Sequence, residues 1–215
     1  MKRPLKLIYK RLSSAFGRQN WWPAQSRFEV IVGAILTQNT SWSNVEQAIA
    51  LLSSRKLLNA RKLYRLPEKQ LAALIRNTGY YNVKAGRLKC FLKFFFEVYA
   101  AKIGRMVAGD QGVLRRQLLA VKGIGPETAD SILLYALNKP VFVVDAYTKR
   151  ILSRHGLIKA QADYAQLQDL FTDNLKHDVQ LFGEYHALLV KLGKDYCRKR
   201  NPKCKICPLW SIKNA

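Results

Sequence analysis

The sequence predicts an all-α fold, and three observations carry that expectation. Apolar residues recur at helical spacing over most of the chain, the breaks between these runs are short, and no stretch alternates polar and apolar residues as a half-buried strand would. Of 215 residues 49% are hydrophobic, enough for a real core in one compact unit or two small lobes. No internal repeat or low-complexity linker is present.

Residues 28–36 (FEVIVGAIL) form an apolar run that fits either a strand or a buried helix. The neighbouring segment favours helix, because 43–52 (SNVEQAIALL) has Ser43 as a cap, Glu46 three residues later and apolar positions at helical spacing. Leu66, Pro67 and Glu68 open another helix through LAALI that stops at Gly79. Residues 84–100 make a long helical run with Phe91, Phe94, Phe95 and Val98 on one side, and 114–120 make a short one. Helical runs at 127–137, 146–153, 164–175 and 184–192 complete the series.

Lys and Arg number 37 against 14 acids, a formal net charge of +23, and the basic residues run through the whole length. Nucleic acid is the first partner this implies, although charge alone does not separate it from ribosomal RNA or an acidic membrane. No window reaches the ~18 consecutive apolar residues of a membrane span, and the opening MKRPLKLIYKRL lacks the apolar core of a signal peptide. A cytoplasmic protein is expected, associated with the nucleoid if the source is bacterial. Four cysteines, three of them crowded near the C-terminus, suit metal or cluster ligation better than a secreted disulfide framework.

The segment Lys122-Gly123-Ile124-Gly125-Pro126 separates two helical runs. Glycine permits positive φ and close backbone approach, and proline fits a first helical position, so the loop can aim amide N–H groups at an anion. With Lys122 before it and Thr128 after it, in a chain this basic, the loop reads as a grip on the DNA backbone without sequence readout. An ordinary turn between helices would use the same residues.

LLAVKGIGPETADSILLYALNKPVFVVDAYTKRIL resembles the helix-hairpin-helix and Gly/Pro-Asp signature of the endonuclease III superfamily of DNA glycosylases. FEVIVGAILTQNT, GYYNVKAGRLK at 79–89 and the cysteine-bearing tail stand in that family's order, so the resemblance covers nearly the whole chain. It implies two helical lobes with an active-site cleft between them: 24–140 with the helix-hairpin-helix, and 1–23 plus 141–215 with the C-terminal loop. It further implies damaged double-stranded DNA as the partner of a monomer, and no membrane.

In bifunctional members of the superfamily, the second residue after the hairpin's last glycine is a lysine that attacks the sugar. Here that position is Glu127, and a carboxylate forms no Schiff base. Asp145 matches the family's catalytic aspartate, suited to stabilising an oxocarbenium-like sugar and orienting or deprotonating water. Read from the residues alone, Asp145 also fits as the cap of the helix 146–153, and the two roles are compatible.

Trp21, Trp22 and Pro23, then Phe28-Glu29, then LTQNT with Trp42 two residues on, together with Glu127, resemble the 3-methyladenine DNA glycosylases of the endonuclease III type. In that branch the corresponding aromatics line the base pocket, and indole faces attract a cationic alkylated purine. Ordinary core filling is the other reading of each tryptophan. By the same resemblance Gln38 and Asn39 stand where relatives fill the gap left by a flipped base, and Tyr80 and Tyr81 are wedge candidates. Each also fits a packing or helix-end role.

Cys197, Cys204 and Cys207 reproduce three positions of the family's C-x6-C-x2-C-x5-C iron–sulfur motif, and Lys213 takes the fourth. Four thiolates hold a [4Fe–4S] cluster, so the ligand set is incomplete and no cofactor or metal is expected. The alternatives are a cluster on the incomplete set, or a Cys3His zinc site with His186 that lacks the usual spacing. Arg198, Lys199, Arg200, Lys203 and Lys205 would still meet phosphates, and Cys90 is expected to be a buried core thiol. The expected function is a monofunctional glycosylase for an alkylated purine. A glycosylase for mismatched or oxidised bases, or an inactive DNA-binding module, is the alternative.

Overall fold

The computed structural model describes residues 2–212. Among the described residues there are twelve α-helices and no strand. The chain divides into two compact units, Ala24–Lys139 on one side and Met1–Pro23 with Pro140–Ala215 on the other.

Ala24–Lys139 is organised around α2, Arg27–Leu36, in which every residue from Val30 to Leu36 is buried. A helix apolar on all sides belongs at the centre of a core, which settles the strand-or-helix alternative at 28–36. Ser26 starts it by accepting from the Glu29 amide at 3.1 Å. Around it lie α3 (Trp42–Ser54), α4 (Ala60–Arg65), α5 (Glu68–Leu74), α6 (Tyr81–Tyr99), α7 (Ile103–Ala108), α8 (Gln111–Ala120) and α9 (Pro126–Ser131). Asn39, at φ 52°, turns the chain between α2 and α3. The N-cap of α3 is therefore Ser41, and Ser43 lies inside the helix with its hydroxyl 2.9 Å from that of Ser41.

The buried stripe of α6 is Leu88, Phe91, Leu92, Phe95 and Tyr99, at steps of three and four. Val98, expected on that side, is exposed, and Cys90 is half-buried rather than in the core. The expected run 127–137 is α9 followed by one wide turn, Ile132–Ala136, which Leu137 N–H closes on Ile132 O at 3.1 Å. Arg27 donates to Ala136 O at 2.6 Å and ties that turn to α2.

The other unit pairs α1, Lys2–Phe16, with α12, Val179–Asp195, through Leu5, Ile8 and Leu12. Here α10 (Ala146–Arg154) packs on α12, and α11 (Tyr164–Thr172) supplies Phe171, stacked on Phe142 at 3.6 Å with Phe182 and Tyr185 edge-on to Phe142. Each of these four rings is fully buried and contributes roughly 1.5–3 kcal/mol. Asp178 accepts from the Leu181 amide at 2.8 Å, so α12 begins well before the expected 184. Three helices, α1, α4 and α7, are not among the expected runs, although Leu5, Ile8 and Leu12 of α1 stand at helical spacing and Asn59 caps α4. Among the described residues no helix is long and apolar enough to cross a membrane.

Candidate active site

The hairpin is α8, the turn 121–125 and α9. Arg115 on α8 grips Asp130 on α9 with two charge-assisted bonds, at 2.7 and 3.0 Å, and Asp130 is fully buried. Ile124 enters the core and its amide donates to Val121 O at 3.0 Å. The two glycines do different work. Gly123 has φ 90°, and a Cβ there would collide with the Arg87 stem, 2.8 Å from its Cδ. Gly125 is ordinary extended backbone with φ −91° and ψ 178°, and nothing lies within 4 Å of where its Cβ would stand. Its lack of a side chain leaves that stretch of backbone open, beside exposed Lys122 and Glu127.

Gln38 is brought to this turn. Its amide donates to Gly123 O at 3.1 Å and to Thr128 Oγ1 at 2.9 Å, while Arg87 donates to its Oε1. Thr128 is buried, so both residues act within this network as braces of the hairpin. Asn39 has the left-handed conformation of the turn residue. Sequence reading did not single out Arg87.

Tyr80 is 73% exposed, with φ 45°, and stands at the N-cap of α6. Tyr81 is half-buried under the Arg76 guanidinium, 6.0 Å from the ring centre. The turn is fixed from beneath by Lys84, fully buried, whose ammonium donates to Thr78 O at 2.6 Å. Burial, helped by the Arg87 charge, pushes Lys84 down to about 8.

Asp145 is the N-cap of α10. Its Oδ1 accepts from Thr148 N–H at 2.7 Å, and its Oδ2 stands 3.6 Å from Nε2 of His186 on α12. The aspartate side chain is 11% exposed and the histidine 8%. Burial pushes the Asp145 carboxyl up, but His186 and the Thr148 amide outweigh it and hold the group below its ordinary range. The approach of α10 to α12 requires glycine, since a Cβ at Gly193 would collide with the Tyr147 ring and stand 2.7 Å from Tyr147 Cβ. Arg150 then bridges the pair, donating to Cys197 O at 2.7 Å and Gly193 O at 3.2 Å.

Trp21 and Trp22 are half-buried and meet edge-on at 6.2 Å, with the Lys194 ammonium 5.6 Å from the Trp21 ring centre and Pro23 exposed beside them. Trp42 is also half-buried, and its indole N–H donates to Glu46 at 2.7 Å. None of the three belongs to the fully buried core.

The C-terminal loop carries three of the four cysteines of the family's cluster motif, Cys197, Cys204 and Cys207. Cys197 Sγ accepts from Arg154 at 3.4 Å, Cys207 Sγ accepts from Leu209 N–H at 3.4 Å, and Cys204 is exposed. Burial pushes the Cys207 thiol up, with the nearby Cys197 and Cys204 adding to it against the Leu209 amide. Lys213, at the fourth position, lies outside the described residues. Among the described residues no three His, Cys, Asp or Glu are grouped to hold a metal, His186 included. The loop is fastened by carbonyl contacts, with Arg154 donating to Arg198 O at 2.7 Å and Lys199 O at 3.2 Å.

A braced helix-hairpin-helix followed by a capping aspartate is the arrangement that residues 32–177 share with one family profile, and the chain belongs to it: the HhH-GPD superfamily of base excision DNA repair proteins. It is a DNA glycosylase of that class. A relative from Methanocaldococcus jannaschii, named "Putative DNA repair glycosylase MJ1434", is 50% identical over 204 residues, 94% of this chain and 92% of its own. Endonuclease III of Thermotoga maritima is 27% identical over 84% of this chain and 79% of its own. Among solved structures, the 3-methyladenine DNA glycosylase of H. pylori bound to 1,N6-ethenoadenine is 29% identical, with a TM-score of 0.77 over 89% of this chain and 97% of that one. An endonuclease III trapped in a covalent intermediate with DNA shares the fold, with a TM-score of 0.85 at 18% identity over 100% of this chain and 96% of that one.

Proposed function

We propose that this glycosylase is monofunctional and hydrolyses the N-glycosidic bond of an alkylated purine of the 3-methyladenine kind in double-stranded DNA, leaving an abasic site. The observation that carries the reading is the division of labour within Asp145. One oxygen is committed to the start of α10, and the carboxylate is held ionised in a nearly closed setting, where a negative charge is most effective against a sugar cation. As the C1′–N bond breaks, its electron pair leaves with the base. Water then attacks C1′ and gives up its proton to the carboxylate or to solvent. A base that is already cationic departs neutral and needs little acid assistance.

Glu127 in place of an attacking lysine supports hydrolysis over lyase chemistry. Trp21, Trp22 and Trp42 are half-buried rather than core residues, indole faces attract a cationic base, and the likeness to the H. pylori enzyme supports that class of substrate. Gly125 and Lys122 offer open backbone and charge to phosphates, Gln38 and Thr128 hold that loop in shape, and Tyr80 is the better exposed of the two wedge candidates. The C-terminal loop works without a cluster in this reading.

The test is single-turnover release of free base from duplexes carrying 3-methyladenine, 1,N6-ethenoadenine, a mismatched base or an oxidised pyrimidine. Release of the alkylated purine is expected, with nicking only after alkali and no protein–DNA adduct trapped by borohydride. Efficient trapping would refute the monofunctional reading, and release of the mismatched or oxidised base alone would refute the substrate.

A further inference from the structure

His186 takes part in none of the steps above, yet it is the ionisable group placed against the carboxylate they depend on. It sits on a stretch of α12 whose neighbours Tyr185, Ala187, Leu188 and Leu189 are all buried, and it is 6% exposed itself. An imidazole at such a site is retained against its desolvation cost only where a polar partner meets it. The Nε2 atom is closed off from solvent. What it faces is Asp145 Oδ2, at 3.6 Å, the oxygen that the Thr148 amide leaves uncommitted. The contact is set by backbone as much as by side chains. Gly193 lets α10 lie against α12, and Arg150 of α10 ties it to carbonyls at the C-terminal end of α12.

We propose that His186 is the positioning residue of Asp145: presented by α12, its imidazole stands against Oδ2 and fixes the rotation of the carboxylate about its capping bond. The inference rests on the assignment of Asp145 as the catalytic carboxylate. It assigns His186 to catalysis through Asp145 and to no metal site.

The chain has three histidines, His155, His177 and His186, so imidazole nitrogen signals of the 15N-histidine-labelled protein can be assigned with a His186→Gln variant. In Asp145→Ala the His186 Nε2 signal is expected to move while those of His155 and His177 stay in place. Base release should slow by about 10-fold to 100-fold in His186→Leu, with affinity for damaged duplex retained, because a misaimed reacting group costs rate rather than binding. His186→Gln, which keeps an N–H donor, should recover most of that rate, and adding His186→Leu to Asp145→Asn should slow the reaction no further. A His186 signal indifferent to Asp145, or rate losses that multiply in the double variant, would overturn the proposal. Full activity of Asp145→Asn would instead remove the catalytic reading of Asp145, while the nitrogen signals still report whether the pair exists. Should His186→Leu fail to fold, the labelled wild type and Asp145→Ala decide the matter.

Discussion

In the proposed function Asp145 combines a helix cap and a catalytic charge in one side chain, and the two can be separated by a single atom change. Asparagine keeps an oxygen for the Thr148 amide, so Asp145→Asn should retain most of a capping contribution of about 1 kcal/mol. Without the charge, release of a neutral base should fall by orders of magnitude, whereas a cationic alkylated base, a better leaving group, should keep measurable release. Parallel assays on the two substrates check this, and wild-type rates on both would leave Asp145 as a cap alone. The carboxyl also predicts a dependence of stability on pH. Its folded value lies below the unfolded value of about 3.9, so its contribution is complete above that point and is lost as pH falls through the folded value. Thermal unfolding of wild type and Asp145→Asn should therefore differ most near neutrality and converge in acid.

At the scale of elements, two junctions position the chemistry. One is the contact of α10 with α12, where Gly193→Ala would push a methyl into Tyr147. Overpacking of this kind costs about 1–3 kcal/mol, so a lowered melting temperature is expected together with slower base release, since the same contact sets Asp145 against His186. The other is the hairpin, braced by the Arg115–Asp130 pair and by Gln38 under Arg87. Gly125 has room for a side chain, so Gly125→Asp should fold normally while weakening damaged and undamaged duplex alike, because the new charge faces phosphates. Unchanged affinity in a filter-binding titration would take the hairpin out of the interface.

For the whole molecule, a net charge of +23 makes association with DNA a matter of counterion release. The logarithm of the binding constant should fall with log salt by about 0.9 per neutralised phosphate, and the slope for undamaged duplex should approach that for damaged duplex. The C-terminal loop adds five of the 37 basic residues, Arg198, Lys199, Arg200, Lys203 and Lys205, and is held by arginine-to-carbonyl contacts. Protein purified without oxygen should accordingly contain far less iron than a four-iron cluster requires, and Arg150→Ala should loosen the loop, read as faster proteolysis after Arg198 or Lys199. Four irons per chain would reverse this view of the tail.

Sequence by itself determined the helical class, the hairpin with its missing lysine and the aspartate at a helix start, because each is written in a few consecutive residues: an apolar period, a GxGP turn, a capping side chain. It misplaced what depends on where a turn falls. Asn39 moved the cap of α3 to Ser41, and a wide turn cut short the helix after Pro126. Three further facts were decided by tertiary structure alone. Gln38 and Arg87 meet under Gly123, Lys84 is buried beneath the Tyr80 turn, and His186, which entered the sequence reading only as a zinc-ligand alternative without the usual spacing, lies against Asp145. Arg87 comes from α6 and Gln38 from the turn before α3, Asp145 caps α10 and His186 lies on α12, and Lys84 reaches back to Thr78 beneath its own helix cap; for the first two pairs no local pattern encodes the crossing and register that bring them together. Those are set by packing, and above all by the absent side chain at Gly193 that lets α10 and α12 close on each other.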